Sequence, residues 1–150
     1  LKRGRHVASA VQRVAMAAAA VEGEAGLSVE RCEAERAGPS YTVETLRALR
    51  AREPGREFVV LLGADAAADL DQWHEAAALP GLARLVAFTR AGAPRPAHPF
   101  LHAVVEAPAV EISSTAIRQR VAAGRSIRYL VPGAVADYIA TQGLYRNGPE

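Results

Sequence analysis

The chain has 150 residues, half of them hydrophobic, 23% charged, with a formal net charge of +2. That length and apolar content let one domain, residues 1–150, close a core unaided, and the lone Cys32 excludes an internal disulfide or a clustered-thiol metal site. The small basic excess is scattered arginine without a dense basic tract or interleaved aromatics, which argues against a nucleic-acid partner and suits small anionic substrates.

The longest apolar run, Val14 to Val21, falls well short of the ~20 residues of a membrane span, and no signal peptide is visible. Together with the cysteine usage, this sets the expectation of a cytoplasmic protein without a membrane partner.

Ser9-Ala10-Val11-Gln12 has capping-box spacing, and Val11, Val14, Ala15, Ala18 and Val21 recur at helical intervals, which predicts a helix stopping near Gly23. Leu27 to Cys32 alternates apolar and polar and predicts a strand. After a turn at Gly38-Pro39, Val43, Leu46 and Leu49 mark one face of a second helix, ended by Pro54-Gly55. Phe58 to Leu62 is a continuous apolar strand of the kind buried on both faces of a parallel sheet. It runs into Gly63-Ala64-Asp65, where Asp65 is placed to cap a short helix.

Leu82 to Phe88 predicts a further strand, followed by an irregular Gly/Pro-rich stretch from Ala91 to Pro99. His102–Val105 and Ala109–Ile112 are short β candidates. A helix then begins at Ser113 or Ser114 and ends at Gly124. Pro132 at a first helical position, with Val135, Tyr138 and Ile139, predicts a last helix closing near Gly143. Strands alternating with helices indicate a doubly wound parallel α/β sheet.

Ligands of such sheets collect where strands end and helices begin. At Gly63-Ala64-Asp65, glycine permits close approach to the backbone, and Asp65 could accept from a ribose or an amine. A tight turn with an ordinary cap explains the same residues. At Ile112 to Arg118, three successive hydroxyls meet the unpaired N–H groups of a helix start, which makes an anion site. Arg118 lies on the first turn, in reach of a bidentate grip on phosphate, though a capped helix with a solvated Arg118 remains the alternative. One hydroxyl suffices to cap, so the surplus favours function. Trp73 either offers a flat face to an aromatic ring or fills the core. His6, His74, His98 and His102 show no metal-ligand spacing and read as surface or structural. Ser113 lacks a nucleophile-elbow context, so no hydrolytic triad is indicated.

Taken in order, Gly38-Pro39-Ser40-Tyr41-Thr42-Val43-Glu44-Thr45-Leu46, Leu62-Gly63-Ala64-Asp65, Leu70-Asp71-Gln72-Trp73, Ile112-Ser113-Ser114-Thr115-Ala116-Ile117-Arg118 and Arg128-Tyr129-Leu130-Val131-Pro132 resemble bacterial nicotinate-nucleotide adenylyltransferase. The resemblance runs from about Lys2 to Tyr145. It implies a Rossmann-like nucleotidyltransferase fold and transfer of the AMP part of ATP to nicotinate mononucleotide, giving deamido-NAD and pyrophosphate in NAD biosynthesis. By motif, it implies that Ser113, Ser114, Thr115 and Arg118 hold the ATP phosphates, with Arg118 as the catalytic group, and that Gly63 and Asp65 line the nucleotide cleft. It implies that Tyr41, Thr42 and Trp73 form the nicotinate pocket, with Trp73 stacking on the ring. Arg90 and Lys2 match basic residues near the mononucleotide and phosphates more loosely. Magnesium is expected to enter with ATP.

Family members begin with a strand and a glycine-rich loop of the form G-x-F-D-P-x-H-x-G-H. That motif does not occur here, and the chain opens on Leu1-Lys2-Arg3. The expectation is therefore a sheet lacking its first strand, and a chain weakly active or inactive as given and poorly stable alone. Nicotinamide mononucleotide and pantetheine-phosphate adenylyltransferases are rival enzyme readings, and a non-catalytic nucleotide-binding remnant is the rival from another class.

Overall fold

A computed structural model describes residues 8–90, 92–108 and 110–146. They fall into two compact units, one spanning Arg36–Val110 and the other drawn from the chain up to Glu35 and from Glu111 onward. The first carries the sheet and the second is helical.

In the helical unit, α1 (Ala10–Val21) starts as its spacing predicts. Ser9 Oγ accepts from the Gln12 N–H at 3.2 Å, and Gln12 Oε1 accepts from the Ser9 N–H at 2.8 Å. The strand expected at Leu27–Cys32 does not form. Glu30 Oε1 instead accepts from the N–H groups of Arg31 and Cys32, both at 2.9 Å, and turns the chain into the short helix α2 (Cys32–Glu35). A side chain that takes up backbone donors locally removes them from any ladder.

The unit's remaining helices, α6 (Ser114–Ala122) and α7 (Gly133–Thr141), bury Ile117, Val135 and Ile139 with Ile127. Met16, Ala19 and Ala20 of α1 pack against this cluster. Pro132 serves as the N-cap of α7 rather than its first residue, a shift of one position.

The sheet unit holds α3 (Thr42–Arg52), β1 (Val59–Gly63), α4 (Ala64–Ala68), 3-10 turns at Leu70–Gln72 and Ala76–Ala78, α5 (Leu79–Leu82), β2 (Arg84–Arg90) and β3 (Leu101–Ala107). The strands are parallel in the order β1-β2-β3, with Leu62 beside Ala87 and Ala87 beside Val104. Leu82 ends α5, so β2 begins two residues later than the apolar pattern predicts. Residues 110–112 join no strand, and Val110 and Ile112 are exposed.

One sheet face packs on the helices: Val43, Leu46, Leu62, Leu70, Leu79, Leu85 and Ala87 form a single buried cluster. β1 is not buried on both faces as its composition predicts. Among the described residues it lies at the sheet edge, where Val60 and Leu62 turn toward the helices while Val59 is 52% and Leu61 63% exposed. Gly38, where the chain turns before α3, adopts φ +90°, a left-handed conformation that favours glycine. No helix among the described residues is long and apolar enough to cross a membrane.

Candidate functional site

At the start of α6, Ser113 is the cap: its Oγ accepts from the Ala116 N–H at 3.1 Å. Helix geometry leaves the N–H groups of Ser114 and Thr115 without intrahelical acceptors. Arg118, half-buried one turn on, donates from Nη2 to Thr115 Oγ1 at 3.1 Å. Ser113, Ser114 and Thr115 are exposed. One hydroxyl therefore caps and one steadies the guanidinium. The Ser114 hydroxyl has no partner among the described residues. The result is an exposed helix end carrying a cation on its first turn, an arrangement that attracts polyanions.

Two further predicted residues share the carboxyl edge of the sheet. Gly63 closes β1 beside Phe88, and Arg90 ends β2 two residues further on. Both are exposed. A methyl group at Gly63 would meet nothing within 4 Å, and its φ is an ordinary −71°, so packing does not demand glycine there. Asp65 does not cap α4 as expected. Gly63 holds the N-cap position without a side-chain bond, and Asp65 sits inside the first turn with its carboxylate exposed. Thr89, the buried residue before Arg90, donates from Oγ1 to the Pro94 carbonyl at 3.3 Å and ties the following loop to the strand end.

The third group converges most clearly. Ser40, Tyr41 and Thr42 form one wall of a cavity of about 260 Å³, and Gln72, Trp73 and His74 form the other. Tyr41 is the N-cap of α3 and makes no side-chain capping bond, so the amide end of that helix opens beside the cavity. Trp73 is half-buried: it packs against the main cluster, as the core reading of it expects, and it also lines the cavity.

His74 is more than a surface residue. Its ring lies 4.3 Å from that of Tyr41, tilted by 31°, and joins the two walls. A histidine directly after the tryptophan carries no spacing signal, so only the tertiary contact reveals it.

The wall bearing Trp73 is anchored electrostatically. Arg47 on α3 makes two hydrogen bonds to Glu75, Nη2 to Oε2 at 2.6 Å and Nη1 to Oε1 at 3.1 Å. The hydrogen bond to Arg47 holds the Glu75 carboxyl below its ordinary value, with the charges of Arg47 and His74 acting the same way. The same bond and charge raise the Arg47 guanidinium. Lys2, the remaining predicted contact, lies outside the described residues.

Among the described residues, no group of three or more His, Cys, Asp or Glu side chains is arranged to hold a metal ion.

Comparison with known proteins gives a consistent result. Residues 1–120 match the family model described as Cytidylyltransferase-like. The chain is 42% identical over 156 residues to a protein of Gemmatimonas aurantiaca named "Probable nicotinate-nucleotide adenylyltransferase", covering 98% of this chain and 74% of that protein. A protein of the same name from Thermus thermophilus is 46% identical over 140 residues, covering 93% and 75%. Among solved structures, the Plasmodium falciparum nicotinic acid mononucleotide adenylyltransferase complexed with NaAD superposes with a TM-score of 0.55 at 19% identity, covering 73% of this chain and 59% of that one. The same enzyme complexed with APC gives a TM-score of 0.56 at 19% identity, covering 75% and 61%. The fold is thus the Rossmann-like nucleotidyltransferase fold. The chain spans about three quarters of the length of the curated relatives and about 60% of the solved chains.

Proposed function

The chain belongs to the nicotinate-nucleotide adenylyltransferase family, and from that premise we propose that it serves transfer of the adenylyl group of ATP to nicotinate mononucleotide. The observation that carries this reading is the convergence of Tyr41, Thr42 and Trp73 on one cavity beside the uncapped start of α3. A nicotinate ring brings a flat π face and a carboxylate. Trp73 offers the first an aromatic surface, and the partial positive charge of the helix start favours the second over a neutral amide.

The reaction forms one bond and breaks one. A phosphate oxygen of the mononucleotide attacks the α-phosphorus of ATP in line, the bond to the bridging oxygen breaks, and pyrophosphate leaves with its electron pair. No covalent protein intermediate is needed, so the protein contributes positioning and charge neutralisation. Arg118, steadied by Thr115, neutralises charge developing on the transferring and leaving phosphates, and the N–H groups and hydroxyls of Ser113 to Thr115 hold them. Gly63 and Asp65 line the nucleotide cleft, and Arg90 and Lys2 are assigned to the mononucleotide and phosphates. We place magnesium with the ATP phosphates. The described residues offer it no cage of their own, and none of these steps runs through it.

Trp73 is the only tryptophan, so its fluorescence reports the cavity directly. Nicotinate mononucleotide should quench it at concentrations at least ~10-fold below those needed with nicotinamide mononucleotide, the scale of one added charge-assisted contact. With the family's glycine-rich histidine segment fused to the chain, deamido-NAD measured by chromatography is the expected product with ATP. Equal quenching by both mononucleotides would overturn the nicotinate assignment. ATP binding with no response to either would identify a nucleotide-binding module instead.

A further inference from the structure

The wall of the cavity formed by Gln72, Trp73 and His74 is a three-residue span, and the residue on each side of it is an acid bound to a distant partner. Before it, Asp71 Oδ1 lies 3.0 Å from His98 Nε2, across 27 positions of sequence. After it, Glu75 takes both hydrogen bonds from Arg47, across 28.

The His98 contact has a defined polarity. His98 Nδ1 accepts from the Phe100 N–H at 3.2 Å, so the ring proton belongs on Nε2, which donates to Asp71. The ring itself is held, its side chain 7% exposed and packed edge-on to Phe100 with centroids 4.7 Å apart. It stands on the Gly/Pro-rich segment before β3.

The Arg47 contact acts on strained backbone. Glu75 adopts φ +49°, ψ +41°, a left-handed conformation that non-glycine residues take only when their surroundings hold them there. A two-pronged guanidinium grip constrains position and direction together. Arg47 is on α3, whose N-cap Tyr41 and first residue Thr42 belong to the opposite wall, so this bond couples the two walls through a single element.

We propose that Asp71–His98 and Glu75–Arg47 are paired clamps that position Trp73 opposite Tyr41 and set the width of the mononucleotide pocket. The four are positioning residues: none needs to touch substrate. Their role in binding rests on the assignment of this cavity to nicotinate mononucleotide. Exposed ion pairs add little to global stability, and the Arg47 and Glu75 side chains are 48% and 45% exposed. For that pair global stability therefore does not explain the arrangement, whereas local placement of the span does.

The test uses the full chain and its single tryptophan. Arg47→Met, Glu75→Gln, Asp71→Ala and the exchange Arg47→Glu with Glu75→Arg are compared for acrylamide quenching of Trp73 without ligand. Affinities for nicotinate mononucleotide and for ATP, and thermal unfolding, are measured alongside. Each single variant should make Trp73 more accessible and weaken the mononucleotide about fivefold, the scale of one exposed bidentate pair. ATP affinity should stay unchanged and melting within about 2 °C. The exchange should restore both properties that Arg47→Met and Glu75→Gln lose.

Single variants that leave Trp73 accessibility unchanged would overturn the proposal. So would variants that weaken both ligands together with the fold, or an exchange that fails to restore what either single change removes. If the unaltered chain shows no response to nicotinate mononucleotide, the pocket assignment fails, and the acrylamide comparison still decides whether the clamps hold Trp73.

Discussion

Ser113, Ser114, Thr115 and Arg118 occupy one short stretch of chain and meet because a helix starts there. The cavity around Trp73 has walls from residues 40–42 and 72–74, held by partners 27 and 28 positions away. The first arrangement is local. Its donors are oriented by helix geometry, and its cation is steadied within one turn. The second is assembled, and its shape depends on contacts that exist only once the sheet unit has folded. Local sites tolerate substitution around them and fail when a ligand-bearing group is removed. Assembled sites lose shape when a distant support goes.

The sharpest way to separate the two is Arg118→Ala. On the chain fused to the family's glycine-rich histidine segment, loss of this half-buried guanidinium, proposed to serve the ATP phosphates, should lower kcat/KM for ATP by about 10²–10³-fold, the scale of one lost transition-state donor. Nicotinate mononucleotide binding, read from Trp73 fluorescence, should stay within about twofold, and melting should move by no more than ~2 °C. Equal loss for both substrates would dissolve the distinction between the regions.

A smaller effect divides the neighbouring serines. Ser113→Ala removes the cap bond to Ala116 and should cost about 1 kcal/mol in chemical denaturation. Ser114→Ala should leave stability unchanged and weaken ATP binding, because its hydroxyl has no partner among the described residues. If both variants lose stability equally, the surplus of hydroxyls is structural and the anion-site reading of Ser114 falls.

The smallest effect is expected from acid. The hydrogen bond to Arg47 keeps the Glu75 carboxyl below its ordinary value. A depressed carboxyl contributes stability that is present above its unfolded pKa and lost as pH falls through the folded one. The part of Trp73 accessibility that depends on Glu75, read as the difference between the unaltered chain and Glu75→Gln, should therefore be constant near neutrality and shrink only as pH falls through and below the ordinary carboxylate range. In Glu75→Gln accessibility should be raised already at pH 7. A difference between the two chains that closes already near pH 6 would mean that another group controls the wall.

How much of this was readable in advance follows the same division. The capping box at Ser9 and Gln12, the cap at Ser113, and the helix at Thr42–Arg52 ended by Pro54-Gly55 all depend on residues within a few positions of one another, and the structure matches them. The grouping of Tyr41 and Thr42 with Trp73 came from ordered motifs. The fold brings these residues to one cavity, but neither spacing nor periodicity could supply His74 as the ring that bridges them.

Failures arose where a pattern was right but its partners were absent or elsewhere. Leu27–Cys32 alternates like a strand, yet Glu30 captures the backbone donors a ladder would need. Phe58–Leu62 has the composition of a strand buried on both faces, yet β1 is an edge strand with helices against one side. Asp65 is a plausible cap by residue type, but the helix starts one residue before it.

By itself, the sequence determined the alternation of strands and helices, the capped, hydroxyl-rich start of α6 and the family. These are written in adjacent residues and in motif order. Only the tertiary structure decided which face of β1 is covered, that the Trp73 span is bracketed by Asp71–His98 and Glu75–Arg47, and that Glu75 bends into left-handed backbone to allow it. The physical reason is separation along the chain. A cap is satisfied by a neighbour three residues away, whereas a clamp across 27 or 28 residues exists only where the packed core holds both ends within hydrogen-bond reach.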